Sequence, residues 1–392
     1  MQTFHQSPTD PVFVQDPHRF YDCVRAAGPL VVWADYAMPA LARHADVMAV
    51  LKDRRWGRVP PGGLPPYPAH LAAFARVERL SLLNLEGPGH TALRAPLLRA
   101  FTARRVAGLA PRIEALCQRL IDGFPDTPFD LVNRYAGQVP VIVIARLLGV
   151  PQAACAQLLD WSHAMVAMYR PGVDLPAQIA ANSAAQAFAD WLMDVMDRKV
   201  ADPGDDLLSA LLALEAAGEI TRDAGLSTVI LLLNAGHEAT VHATGNAVVR
   251  LLAEKCAVAA TRTDAVVPTV EECLRIDAPL HLFTRFARAE VTLHGHRFAP
   301  GDQVALLLGA ANRDPAAYDA PHSFRPGRAG PVVSSFGAGV HFCLGAPLAR
   351  LEMQIALRVL FDRCPGLRLT EAARFADIYH FHGHTRLMVS RR

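Results

Sequence analysis

Apolar and polar positions alternate in different registers along the chain. The first fifty or so residues mix loops with short strand candidates such as Leu30–Trp33. Val59–His70, reading VPPGGLPPYPAH, is a loop, because its prolines forbid helix or central strand. From about Thr91 to Cys256 the chain is rich in Ala and Leu at helical spacing, and Pro111, Pro140, Pro151, Pro171 and Pro203 punctuate it into several helices. After Ile276 the stretch ARAEVTLHGHRFAPGDQVALLL alternates apolar and polar residues around Gly and Pro turns, which predicts short strands. Asn312–Gly330 is turn-rich, Gly345–Val359 returns to helix, and a strand-like segment ends the chain. With no repeats and no flexible linker, the expected architecture is one compact domain over residues 1–392, mainly α with a small β region.

One stretch resists this pattern. Leu231–Gly245 reads LLLNAGHEATVHATG, an apolar helix interrupted by Asn, Gly, His and Glu. Interior Gly costs ~1 kcal/mol against Ala, and a buried Glu needs a partner. The metalloprotease pattern H-E-x-x-H fails on spacing: His237 and His242 are five apart and point to different faces.

Bulk composition narrows the function. The 392 residues are 52% hydrophobic and 19% charged with net charge +2, and no basic run interleaves with aromatics, so nucleic acid is not the expected partner. No apolar window reaches the ~18 residues of a membrane span, and MQTFHQSPTDPVFVQDPHRFYD lacks a charged-then-apolar leader; a cytoplasmic protein without membrane attachment is expected. The seven cysteines are odd in number and widely spaced with no C-x-x-C, which argues against a disulfide framework or structural zinc.

Cys343 stands apart from the other six. It follows Gly337, Gly339 and His341 in SSFGAGVHFCLGAPLAR and precedes a helical run beginning at Ala346. A thiol just before a helix start meets outward-pointing N–H groups, which favour the thiolate. Glycines let the backbone lie flat against something large. A nucleophile and a metal-ligating thiolate both fit.

FGAGVHFCLG resembles the haem-binding signature F-G-x-G-x-[HR]-x-C-x-G of the cytochrome P450 superfamily at every fixed position. The resemblance implies the helix-rich triangular prism of that family around haem b (iron protoporphyrin IX), with Cys343 as axial thiolate. It places Phe336 beside the sulfur, Gly345 in the cofactor loop, and His341 at a propionate. His90 and Arg94 in GPGHTALR, and Arg285 in LFTRFARAEV, resemble further propionate ligands. Glu272 and Arg275 in VEECLRI resemble the family's E-x-x-R pair; Ser323 occupies the place of the usual third-member Arg, leaving Arg325 and Arg328 as alternatives.

The resemblance also gives the interrupted helix a use. NAGHEAT resembles the distal motif [AG]-G-x-[DE]-T, in which Ala235 and Gly236 leave room for dioxygen, Glu238 delivers protons, and a local helix distortion frees backbone groups. The usual Thr is Ala239 here. Thr240 is turned ~100° away and substitutes only through a distortion. The implied activity is insertion of one oxygen atom from O2 into a small, mainly hydrophobic substrate of secondary metabolism, with a substrate hydroxyl or water aiding proton delivery. Oxidative coupling, dehydrogenation, peroxide use and a silent haem sensor are the alternatives.

By the same resemblance, substrate contacts come from residues 59–83, Trp161–Leu175 and Ala278–Phe283, including Phe74, Met165, Tyr169, His163, Arg170 and His281, with a lid hinged at Pro171–Gly172. His380, His382 and His384 share one face if the segment is a strand; lining the pocket is the favoured reading and zinc the alternative. The chain has no flavin or iron–sulfur motif, so a ferredoxin-type donor is expected, with Arg99, Arg104, Arg105 and Arg350 as its candidate docking face.

Overall fold

The computed structural model describes residues 1–169 and 172–391, with the Ala100 side chain left out; Arg170 and Pro171, at the expected lid hinge, lie outside the described residues. The chain divides into two compact units, one of Met1–Pro61, Ala103–Val139 and Ala239–Arg392, the other of Gly62–Thr102 and Pro140–Glu238.

The larger unit holds the strands. β1 (Thr3–Phe4), β2 (Val31–Trp33), β3 (Met38–Leu41) and β4 (Trp56–Gly57) come early, and β5 (Phe129–Asp130) lies between helices. β6 (Leu282–Ala287), β7 (Val291–Leu293), β8 (His296–Phe298), β9 (Gln303–Leu307), β10 (Arg368–Leu369) and β11 (Met388–Ser390) come late. A six-stranded sheet runs in the order β1-β2-β3-β9-β6-β4, with β3 and β9 parallel through Ala40↔Ala305 and β6 and β9 antiparallel. Alternate residues of these strands enter two apolar clusters, one around Leu41, Trp56, Phe298 and Leu306, the other around Phe13, Tyr21, Trp33 and Leu307. Each fully buried Leu or Phe contributes ~1.5–3 kcal/mol. The Ala346–Arg363 helix packs along Ala110–Asp122, and the Tyr135 hydroxyl locks onto Ala356 O at 2.7 Å.

The smaller unit is helical. Leu175–Ala201 packs against Cys155–Val166 and Ala72–Glu78, presenting Ala181, Ala185 and Ala189, whose lack of bulk allows close approach. Caps set the boundaries: Asp174, Asp206 and Thr221 accept from Ala177 N (3.0 Å), Ser209 N (2.9 Å) and Ala224 N (3.2 Å). Pro111 and Pro140 fall in first turns, where a missing N–H is harmless, so they start helices as the sequence predicts. Pro96 does not break the Gly87–Ala100 helix, which begins four residues before the expected start.

Candidate functional site

The thiol loop is built from two tight turns. The Cys343 N–H donates to Phe336 O (3.0 Å), and the helix begins at Ala346. Gly337 and Gly339 have φ of +66° and +71°, which L side chains rarely adopt. A Cβ on Gly339 would lie 2.2 Å from Leu51 O, and on Gly337 3.3 Å from the Phe283 ring. Gly345 differs: its backbone is ordinary αR, and an added Cβ would touch only Cys343 Sγ, at 4.0 Å. Its bareness clears space at the sulfur. Of the seven cysteines, Cys117, Cys155, Cys273 and Cys364 are buried, and burial pushes their thiols up; Cys343 is exposed.

Buried polar groups anchor the loop from behind. Asn312 donates to Ser335 Oγ (2.8 Å) and accepts from Ser334 N (2.8 Å), and Ser335 Oγ donates to Leu274 O (2.6 Å). Arg275 forms a two-pronged bond to Glu272 (2.8 Å each) and donates to Asn312 O (2.8 Å), so the ion pair and the loop share a clasp. Arg328 is the third member, its Nε 3.0 Å from both Glu272 oxygens. Arg325 contributes its backbone N–H to Glu272 (2.7 Å) and turns its side chain to Asp319. Asn312 was invisible to sequence reasoning, since one Asn in a turn-rich stretch signals only a turn.

Arg350 does not stand as a simple docking cation. Its guanidinium lies 4.3 Å from the Phe336 ring centroid and pairs with Glu271 at 3.0 Å, which orients Phe336 in the thiol loop. Arg104 and Arg105 are exposed on the Ala103–Ala107 helix of this unit, and Arg99 is exposed in the other.

Arg285 is buried in β6, donates to Thr284 O (2.9 Å), and sits 5.7 Å from the Phe283 ring centroid. Arg58, which motif reasoning missed, approaches the same ring at 5.9 Å. β4 pairs Gly57 with Phe286, and Arg58 follows directly after that strand. Two guanidiniums thus lie close to the one Phe283 ring. Exposed thiol, glycine turns and convergent guanidiniums fit an iron porphyrin with anionic edge groups. His341 is half-buried on the short Gly339–His341 turn. In the smaller unit, His90 is buried and Arg94 half-buried one turn apart on the Gly87–Ala100 helix.

The expected helix distortion is present. One helix runs Arg222–Ala235, the next begins at Glu238, and Gly236–His237 form a turn. Gly236 N donates to Leu232 O (2.9 Å), and a Cβ there would lie 2.4 Å from that oxygen and 3.1 Å from Ile144. The glycine is therefore required by close packing. Glu238 occupies the first turn of its helix, where the dipole favours a carboxylate. Ala239 is half-buried and Thr240 is 8% exposed.

The zinc alternative on His380, His382 and His384 is not what the structure assembles. Residues 380–384 form no strand; His382 Nε2 bonds Val14 O (2.8 Å) and His384 Nδ1 bonds Arg374 O (2.8 Å), with Phe375 stacked on both rings. His242 packs where Gly383 leaves room, a Cβ there falling 2.2 Å from its Nδ1. Among the described residues, the group able to hold a metal is His163, His237 and Glu238.

The substrate segments divide by burial. Phe74 and Met165 are buried, while Tyr169 is half-exposed and donates to Glu78 (3.1 Å). His281 is no polar substrate contact in the larger unit. It is 1% exposed, bonded to the Tyr21 hydroxyl (2.8 Å), and burial drives its pKa well down.

Comparison with known proteins agrees with this geometry. A family model for cytochrome P450 matches residues 263–365. The chain is 34% identical over 371 residues to 6-deoxyerythronolide B hydroxylase of Saccharopolyspora erythraea, covering 91% of each protein. It is 36% identical over 374 residues to the monooxygenase PikC of Streptomyces venezuelae, covering 91% of this chain and 86% of PikC. A crystal structure of P450BioI in complex with acyl carrier protein carrying hexadec-9Z-enoic acid superposes with TM-score 0.90 at 30% identity, covering 97% of this chain and 99% of that one. Among the described residues, no helix is long and apolar enough to cross a membrane. With this similarity extending far beyond the thiol loop, the chain belongs to the cytochrome P450 family and has its fold, and it is a haem-binding monooxygenase that uses O2 and an organic substrate.

Proposed function

We propose that the chain holds haem b through Cys343 and inserts one oxygen atom into a small, mainly hydrophobic, natural-product-like molecule in the cytoplasm, with electrons from a ferredoxin-type donor. The observation carrying the reading is an exposed thiol at the start of the Ala346–Arg363 helix, framed by glycines in a conformation that side chains resist. Relatives that act on 6-deoxyerythronolide B, or that bind a fatty-acyl carrier protein, support the substrate class.

When bound, haem supplies an iron centre whose thiolate ligand favours O–O cleavage. Cys343 holds its sulfur just before the start of the Ala346–Arg363 helix, where the dipole favours an anion. Phe336, braced by Arg350, would pack beside the sulfur. In the larger unit Arg285 and His341 would bind propionates, and Arg58 lies near the same Phe283 ring as Arg285; in the smaller unit His90 and Arg94 are the propionate ligands that the resemblance implies. Gly236 keeps the distal turn slim. Glu238 relays protons from solvent, taking each up on its carboxylate and passing it inward through water. Ala239 has no hydroxyl to relay that proton, so a hydroxyl on the substrate, or a water held by Thr240, takes its place.

The reduced, carbon-monoxide-treated holoprotein should show the strongly red-shifted main band of thiolate ligation, and macrolactones and long-chain fatty acids should give spin-state shifts. A Cys343→Ala protein that keeps the red-shifted band would overturn the assignment. Product formation equal for substrates with and without a hydroxyl would overturn substrate-assisted proton delivery.

A further inference from the structure

Three potential metal donors meet at the turn between the Arg222–Ala235 and Glu238–Ala253 helices. His163, from Cys155–Val166, His237 in the turn, and Glu238 place one ligand atom each within 4.8 Å of the others. None of the three has a metal role in the proposed oxygenation chemistry. We propose that they form a binding site for Zn²⁺, separate from the haem iron.

The arrangement is already biased towards ligation. His237 Nδ1 lies 2.9 Å from Leu233 O. A carbonyl only accepts, so Nδ1 carries the proton and the lone pair is on Nε2. That bond caps one of the last carbonyls of the preceding helix, and it also fixes the tautomer and ring orientation that a metal-binding imidazole needs. The His163 and His237 rings have centroids 5.7 Å apart and planes at 58°, neither stacked nor parallel. Glu238 sits in the first turn of its helix, where the dipole favours the anion that binds a cation.

Two imidazoles and one carboxylate are a donor set that suits zinc, with a fourth position for water. Zinc holds its ligands at about 2.1 Å, so the donors must close to roughly 3.4 Å from one another. His163 is exposed, so rotation of its side chain would bring it in, while His237 is buried and held by Leu233 O. Binding would tie Cys155–Val166 to the turn and occupy the Glu238 carboxylate. Zinc would then act as a reversible brake on proton delivery. No bond other than metal coordination forms, and no oxidant or reductant is consumed.

The test is Zn²⁺ titration of the haem-loaded protein, by calorimetry and by competition with a chromophoric chelator. The expected result is one zinc per chain at micromolar affinity or tighter. His163→Gln, an exposed change that leaves buried packing alone, should weaken it at least tenfold, and Glu238→Gln should do the same. Zinc should also lower turnover in the wild type, with recovery on chelation and little effect in His163→Gln. Absence of stoichiometric binding overturns the proposal, as does unchanged affinity in His163→Gln, which would put the ion elsewhere. The titration reads bound metal directly, so it stands whether or not the oxygenation reading survives.

Discussion

Glu352 gives a sharp energetic prediction. It lies on the Ala346–Arg363 helix and is 2% exposed, and burial alone pushes its carboxyl up from 4.5 to about 8. It therefore folds as a neutral acid, and nearby Cys117 is likewise held protonated, pushed up to about 11 mainly by burial. A folded pKa above the unfolded one means that stability is fully present below pH 4.5 and declines as pH rises towards 8. At pH 5 the group costs about 1 kcal/mol, and at pH 7.5 about 4 kcal/mol, because the unfolded carboxyl ionises freely while the folded one does not. Glu352→Gln keeps the shape and cannot ionise. Relative to wild type it should gain about 3 kcal/mol more at pH 7.5 than at pH 5. With an unfolding entropy of about 0.8 kcal/mol per kelvin for 392 residues, that corresponds to about 4 °C in Tm. Circular-dichroism melts of the haem-loaded proteins at both pH values provide the measurement. Parallel pH curves for variant and wild type would refute the reasoning.

The buried histidines act in the opposite direction. Burial depresses His380 and His382 from 6.5 to about 4, so the folded chain binds fewer protons than the unfolded one between these values, and stability falls as pH drops through them. His382→Gln, which can still donate to Val14 O, should remove about 2 kcal/mol of the loss between pH 7 and pH 5 in denaturant titrations. Arg328→Ala strips one partner from buried Glu272 and should cost about 3–5 kcal/mol, whereas Arg325→Ala, breaking an exposed pair with Asp319, should cost under about 1 kcal/mol; guanidinium midpoints separate the two. Ala239→Thr should raise product formed per electron consumed several-fold for substrates lacking a hydroxyl, and an unchanged ratio would remove this position from proton delivery.

The thiol loop and the interrupted distal helix were legible because each carries residues that ordinary helix or loop chemistry does not select. Glycines at fixed offsets from Cys343, and Gly236 beside Glu238, signal a backbone constraint before any coordinates exist. The third member of the Glu272 cluster was open, because Arg325 and Arg328 are three apart on one turn-rich segment and only the chain path decides which guanidinium points inward. Arg58 and Asn312 were missed for a related reason. Their places come from a ring contact and a loop anchor between residues far apart in sequence, neither of which leaves a local pattern. The His163–His237–Glu238 group spans two helices, and spacing within one helix cannot reveal it.

The parallel pairing of β3 with β9 has a consequence for biosynthesis. Ala40 leaves the ribosome some 265 residues before its partner Ala305, an interval on the order of 10–50 s at usual elongation rates. Through that wait the early strands present an uncovered edge, a template for pairing with another chain. Co-expressed chaperones should raise the soluble yield more than extra haem precursor does, because the edge is closed by translation and not by the cofactor.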